Sequence, residues 1–145
     1  MQQAPWRQAL WRFAPPVLWM AVILGFSTTL FAAAQTAQLV MPVLHSLLPG
    51  ADAATLGLIH HYLRKAMHLA VFGVLVLLWY RALGGPARGR PARLVASLAL
   101  ALACASADEL HQAFVSGRTG TVKDVGWDGL GATLALIARR TLWRS

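Results

Sequence analysis

The chain has 145 residues, 57% of them apolar and only 12% charged, with a mean hydropathy of +0.55 and a formal net charge of +8. A soluble domain carries about 25% charged residues, so an ordinary soluble domain is excluded and a single membrane-embedded unit over 1–145 is expected. The excess of arginine does not point to nucleic acid, because it forms no basic patch interleaved with aromatics; no nucleic-acid partner is expected.

Four apolar stretches, 13–33, 62–82, 94–113 and 122–141, are long enough to cross a hydrocarbon core of about 30 Å, which takes about 20 helical residues. They are rich in Ala and Leu and lack alternation of period two, so helices are favoured over barrel strands. The predicted fold is all-α, a polytopic membrane four-helix bundle with short interfacial helices in the first outer loop.

Before the first predicted helix stand Arg7 and Arg12, and after its apolar run comes Ala32-Ala33-Ala34, an order similar to a secretory signal. Retention is expected, because removal would place the C-terminal arginines opposite the loop between the second and third helices. Pro15 and Pro16 suit a first helical turn, where no amide partner is lost. Trp6, Trp11, Trp79, Tyr80 and Trp143 are expected near one membrane boundary, and Tyr62 and Trp127 near the other.

Between the first two spans, 34–61 is broken by Pro42 and Pro49-Gly50. Its pieces 38–48 and 51–61 are too short to cross and read as amphipathic surface helices, with His45, His60 and His61 interfacial. The third span carries Ser97, Ala101 and Ala105 at four-residue spacing, a small-residue face for close helix packing that points toward Asp108 and Glu109. Cys104, the single cysteine, reads as a small buried residue. The fourth span, with Gly126, Gly129 and Gly131, is expected to approach a neighbouring backbone closely.

With four crossings, nine arginines (Arg7, Arg12, Arg81, Arg88, Arg90, Arg93, Arg139, Arg140 and Arg144) fall on one side. The positive-inside rule makes that side cytoplasmic, with both termini on it. Arg64, Lys65, Arg118, Lys123 and all five acids fall on the other.

Depth ties the polar residues together. At about 1.5 Å per residue, His68, Asp108 and Asp128 each lie roughly 8–9 Å inside the outer end of their helix. Lys65, Gln112 and Asp124 form a shallower layer, roughly 2–5 Å deep, three or four residues away and hence on the same helix faces. A charge inside the membrane costs about 2–4 kcal/mol, so such groups face the bundle interior and pair. One reading is polar glue, with Lys65 or Arg64 on Asp108 or Asp124. The other is an outward-facing pocket, since four acids around a histidine exceed what packing requires.

These residues resemble the VanZ-like membrane protein family over about 64–131. The likeness rests on Arg64-Lys65-x-x-His68 with Phe72, on Asp108-Glu109-x-x-Gln112-x-Phe114-x-x-Gly117-Arg118, and on Asp124 with Asp128 and Gly131. Phe26-Ser27 is similar to the family's serine-bearing segment, and the family often carries Asn where this chain has Asp128. The resemblance implies a bacterial cytoplasmic (inner) membrane and a cell-envelope role. The founding member is associated with resistance to teicoplanin, a lipid-bearing glycopeptide, and no reaction is implied.

The favoured activity is binding of a lipid, lipid-linked phosphate or lipoglycopeptide headgroup. Arg64, Lys65 and Arg118 would supply donors, with amides of the 117–120 loop, and Asp108, Glu109 and Asp124 would hold those cations. The site also includes His68, Gln112 and Asp128. The alternative is a membrane-embedded hydrolase or phosphatase with His68 as base or nucleophile, oriented by Asp108, and Glu109 and Arg118 as further catalytic candidates. No metal or other cofactor is expected. An oxygen-rich set of His68, Asp108, Glu109, Asp124 and Asp128 suits Mg, Mn or Ca if a divalent cation binds. Transport is disfavoured, because the inner halves of the second and third spans hold almost no ionisable groups. A homo-oligomer is left open.

Overall fold

The computed structural model describes residues 5–28, 32–84, 89–118 and 120–142, which form five helices and no strand. They are α1 (Pro5–Phe26), α2 (Ala33–Leu47), α3 (Ala53–Ala82), α4 (Arg90–Ala113) and α5 (Val122–Leu142). Arg88, Thr119, Trp143 and Arg144 lie outside the described residues.

The longest element departs most from expectation. Asp52 caps α3 by accepting the Thr55 N–H at 2.7 Å, which satisfies an amide that the helix itself leaves without a partner. No proline follows before Ala82. The pieces 51–61 and 62–82 therefore fuse into one continuous helix of 30 residues, and Tyr62 is not its outer end. α1 also begins earlier than expected, which puts Pro15 and Pro16 inside the helix and not in its first turn.

Helix α3 touches each of the others and packs most extensively on α5. The two run parallel. Lys65 meets Asp124 at one end, Gly73 faces Ala135 midway, and the Arg139 guanidinium lies 4.1 Å from the Tyr80 ring centroid at the other. Gly131 permits this approach: a Cβ there would sit 2.3 Å from the Leu69 carbonyl oxygen and 2.5 Å from its Cα. The small face of α4 is buried as expected, through Ser97, Ala101 and Ala105, and Cys104 is buried beside it. Phe72, Leu75, Val76, Ala132 and Leu136 complete the apolar core.

The arginine-bearing ends of four helices gather together. Arg12 donates to the Ala82 carbonyl at 2.9 Å and Arg81 to the Trp11 carbonyl at 3.2 Å. Arg93 donates to the Tyr80 carbonyl at 2.7 Å, with its guanidinium 3.8 Å from the Tyr80 ring centroid. Tyr80 is therefore buried against arginines and does not stand in an aromatic belt.

The outer surface inverts the pattern of a water-soluble protein. Leu18 on α1, Met67 on α3, Val95 on α4 and Ile137 on α5 are exposed, while Asp108, Glu109 and Asp128 are buried. Three helices, Trp6–Phe26, Ala53–Ala82 and Arg90–Ala113, are long and apolar enough to cross a membrane. Helix α5 has the length, but Lys123, Asp124, Asp128 and Arg139-Arg140 interrupt its apolar run. The apolar exterior and these spans describe a membrane-type protein.

Candidate functional site

The polar groups converge at the end of the helices away from the arginines. The parallel register of α3 and α5 places two pairs one turn apart. Lys65 is ion-paired with Asp124, and His68 Nδ1 lies 2.9 Å from Asp128 Oδ1. Asp128 is fully buried. The matched layers hold for these four residues, and Asp128, not Asp108, orients His68.

Asp108 has other partners. It accepts hydrogen bonds from the Ser27 hydroxyl, just past the end of α1, and, at 2.8 Å, from Gln112 Nε2 one turn along α4. Gln112 also reaches Ser27 at 3.3 Å. Among the described residues, no cation donates a hydrogen bond to Asp108. Its partners are two neutral donors, which is how a buried carboxylate between apolar helices is solvated when water is excluded.

Glu109 looks toward α5. Its Oε2 accepts the Thr121 N–H at 2.8 Å, and Thr121 also engages Asp124 in the first turn of α5. Gly120 lets the loop lie on α4, since a Cβ there would fall 2.0 Å from the Glu109 carbonyl oxygen.

Arg118 is committed to the chain itself. Its guanidinium donates to the Phe26 carbonyl, to the Thr28 carbonyl at 2.9 Å and to Gln112 Oε1 at 3.4 Å. A cation is favoured at a helix C-terminus, where carbonyls lack partners, and Arg118 clamps the end of α1 in this way. Burial, with a smaller effect from the charge of Arg64, lowers its pKa from the ordinary arginine value. The expected amide cradle in 117–120 is partly used as well, since the Arg118 N–H goes to the Val115 carbonyl at 3.1 Å. Thr119 is outside the described residues.

Helix α2 contributes more than a surface cover. Thr36 Oγ1 accepts from Arg64 at 3.1 Å and lies 3.2 Å from His60 Nε2. His60 is buried rather than interfacial, whereas His45 and His61 are exposed.

Two recesses meet here. The larger, about 370 Å³, is walled mainly by apolar groups including Ile23, Val40, Met67 and Phe72. The smaller, about 160 Å³, is walled by His61, Lys65, Asp124 and other polar groups. Arg64, His68, Gln112 and Arg118 line both. Of the residues expected at the site, Arg64, Lys65, His68, Gln112, Arg118 and Asp124 border a recess, as does Asp108; Glu109 and Asp128 stand behind them. Ser27, Thr36 and Thr121 were absent from the expected site, although Ser27 belongs to the dipeptide that resembles the family's serine-bearing segment.

No curated protein and no solved structure matches the chain. The family model VanZ/LLP1 matches residues 14–143, which takes in α2 to α5, the second half of α1 and every residue of the polar cluster. The chain belongs to the VanZ/LLP1 family.

Proposed function

We propose that the protein crosses a bacterial cytoplasmic membrane four times as a single unit, through α1, α3, α4 and α5, with both arginine-bearing termini cytoplasmic. Helix α5 qualifies as the fourth crossing despite its charges. Its 21 residues reach about 30 Å at 1.5 Å per residue, and its acids face α3 and α4, not lipid. Its outer end carries the polar recess.

That recess binds the phosphate-bearing head of a lipid or lipid-linked molecule of the cell envelope. One observation carries this reading: the apolar and polar recesses adjoin and share Arg64, His68, Gln112 and Arg118. The pair fits an amphipathic ligand, its chain in the larger space and its head in the smaller. Arg64 lies at the junction, and a guanidinium matches phosphate oxygens with two parallel donors. Leu63 and Met67, which line the larger recess, are 47% and 62% exposed, so the chain has lateral access from the bilayer. A lipoglycopeptide offers the same combination of chain and polar head.

Native mass spectrometry of the detergent-purified protein with phosphatidylglycerol or an isoprenyl phosphate tests this reading. Wild type is expected to retain one lipid, and Arg64→Gln to weaken retention about 10-fold or more, the value of a charged hydrogen bond of about 1.5–3 kcal/mol. Equal retention by both proteins removes the proposal.

A further inference from the structure

Three residues from three helices form a group that neither packing nor lipid recognition explains. His68 of α3, Glu109 of α4 and Asp128 of α5 each present one potential ligand atom, all within 4.8 Å of one another. Glu109 is 5% exposed and Asp128 is fully buried. Among the described residues, Glu109 Oε1 and Asp128 Oδ2 have no hydrogen-bond partner. A buried carboxylate oxygen without a donor is strongly disfavoured, and two in one cluster call for a shared positive partner.

The neighbouring cations do not supply it. Among the described residues no cation donates to either oxygen: Lys65 is paired with Asp124, Arg64 donates to Thr36, and Arg118 donates to the Phe26 and Thr28 carbonyls. Asp108 is satisfied by Ser27 and Gln112. This leaves one imidazole nitrogen and two carboxylates as the donor set.

We infer that His68, Glu109 and Asp128 bind a single divalent transition-metal ion, Zn²⁺ or Mn²⁺. Two negative carboxylates and one doubly charged ion make a neutral buried unit. One nitrogen and two oxygens suit Zn²⁺ or Mn²⁺, whereas Ca²⁺ and Mg²⁺ prefer oxygen alone. Donors bound to one ion at about 2.0–2.2 Å stand roughly 3–3.5 Å apart. The His68 Nδ1 to Asp128 Oδ1 distance of 2.9 Å is already close to that, and the Glu109 ligand atom lies within 4.8 Å of the others. Three protein ligands leave a coordination position open, the arrangement of catalytic rather than structural zinc sites. His68 lines both recesses, so an ion on its ring borders the space that the headgroup is proposed to fill. The metal site stands independently of that lipid reading.

The test uses the full chain in detergent, stripped with a chelator and dialysed against Zn²⁺, Mn²⁺, Mg²⁺ or Ca²⁺ without added lipid. The expected result is one Zn²⁺ or Mn²⁺ per chain by elemental analysis, a raised thermal midpoint, and visible absorption on Co²⁺ substitution. Glu109→Gln and Asp128→Asn are expected to weaken binding by about 10-fold or more, and the surface variants His45→Ala and His111→Ala, at exposed positions outside both recesses, to leave it unchanged. Wild type that binds no ion, binds only Mg²⁺ or Ca²⁺, or loses its ion in the surface histidine variants overturns the assignment. These readouts in wild type decide the matter even if Glu109→Gln or Asp128→Asn fails to fold.

Discussion

His68 and Asp128 face each other at 2.9 Å from two parallel helices, and the exposure is unequal: 23% of the histidine side chain is open and none of the aspartate. Their substitutions should therefore be unequal too. In chelator-treated protein, His68→Ala strands a buried carboxylate and should cost about 3–5 kcal/mol. Asp128→Ala leaves an imidazole that can stay neutral and reach water, and should cost about 1–3 kcal/mol. Thermal unfolding in detergent measures both, and the reverse order contradicts the assigned partnership.

Lys65 and Asp124 make the second pair, with 19% and 17% of their side chains exposed. That is too buried for the small value of a surface ion pair. Each single alanine variant should destabilise by about 1–3 kcal/mol, and a double-mutant cycle should return a coupling of at least about 1 kcal/mol. Additive single effects would show that the pair contributes nothing.

Glycine positions on α5 give a contrast within one helix. Gly131→Ala forces a methyl into the Leu69 backbone and should cost about 1–3 kcal/mol or more by prising α3 from α5. Gly126 has nothing within 4 Å of a Cβ, so Gly126→Ala should be neutral or stabilise by up to about 1 kcal/mol. Similar effects at both positions would place the helix contact elsewhere.

Ser27→Ala removes a donor from the buried Asp108 carboxylate, whose remaining side-chain donor is Gln112. The expected loss is about 1–3 kcal/mol, with Ser27→Thr recovering part of it. Hydrogen exchange at the end of α1 should rise in Ser27→Ala; unchanged exchange and stability would remove Ser27 from the site.

Much of this site was legible in the chain because a bilayer leaves ionisable residues few places to go. The matched positions of Lys65 and Asp124 left their pair among the open alternatives, whereas His68 was assigned to Asp108 and pairs with Asp128 in the structure. Ser27 was harder: the Phe26-Ser27 resemblance marked the residue, but nothing local in the sequence gives it a partner 81 residues away. Arg118 was read as a ligand donor because sequence shows a charge but not the α1 carbonyls that occupy it. The start of α3 was misplaced because His60-His61 interrupts the apolar pattern, although no proline lies between the Asp52 cap and Ala82.

The proposal that an amphipathic ligand enters between α1, α2 and α3 is tested most directly by photolabelling. A phospholipid with a diazirine in its acyl chain is irradiated with the protein in bilayers, with and without excess unlabelled phospholipid of the same headgroup. Met67, at the wall of the larger recess, and Val95, on the outer face of α4, are 62% and 69% exposed, so incidental contact labels both. The account predicts that low concentrations of competitor suppress labelling at Met67 and Val71 well before they affect Val95. Parallel loss at all three positions would contradict it.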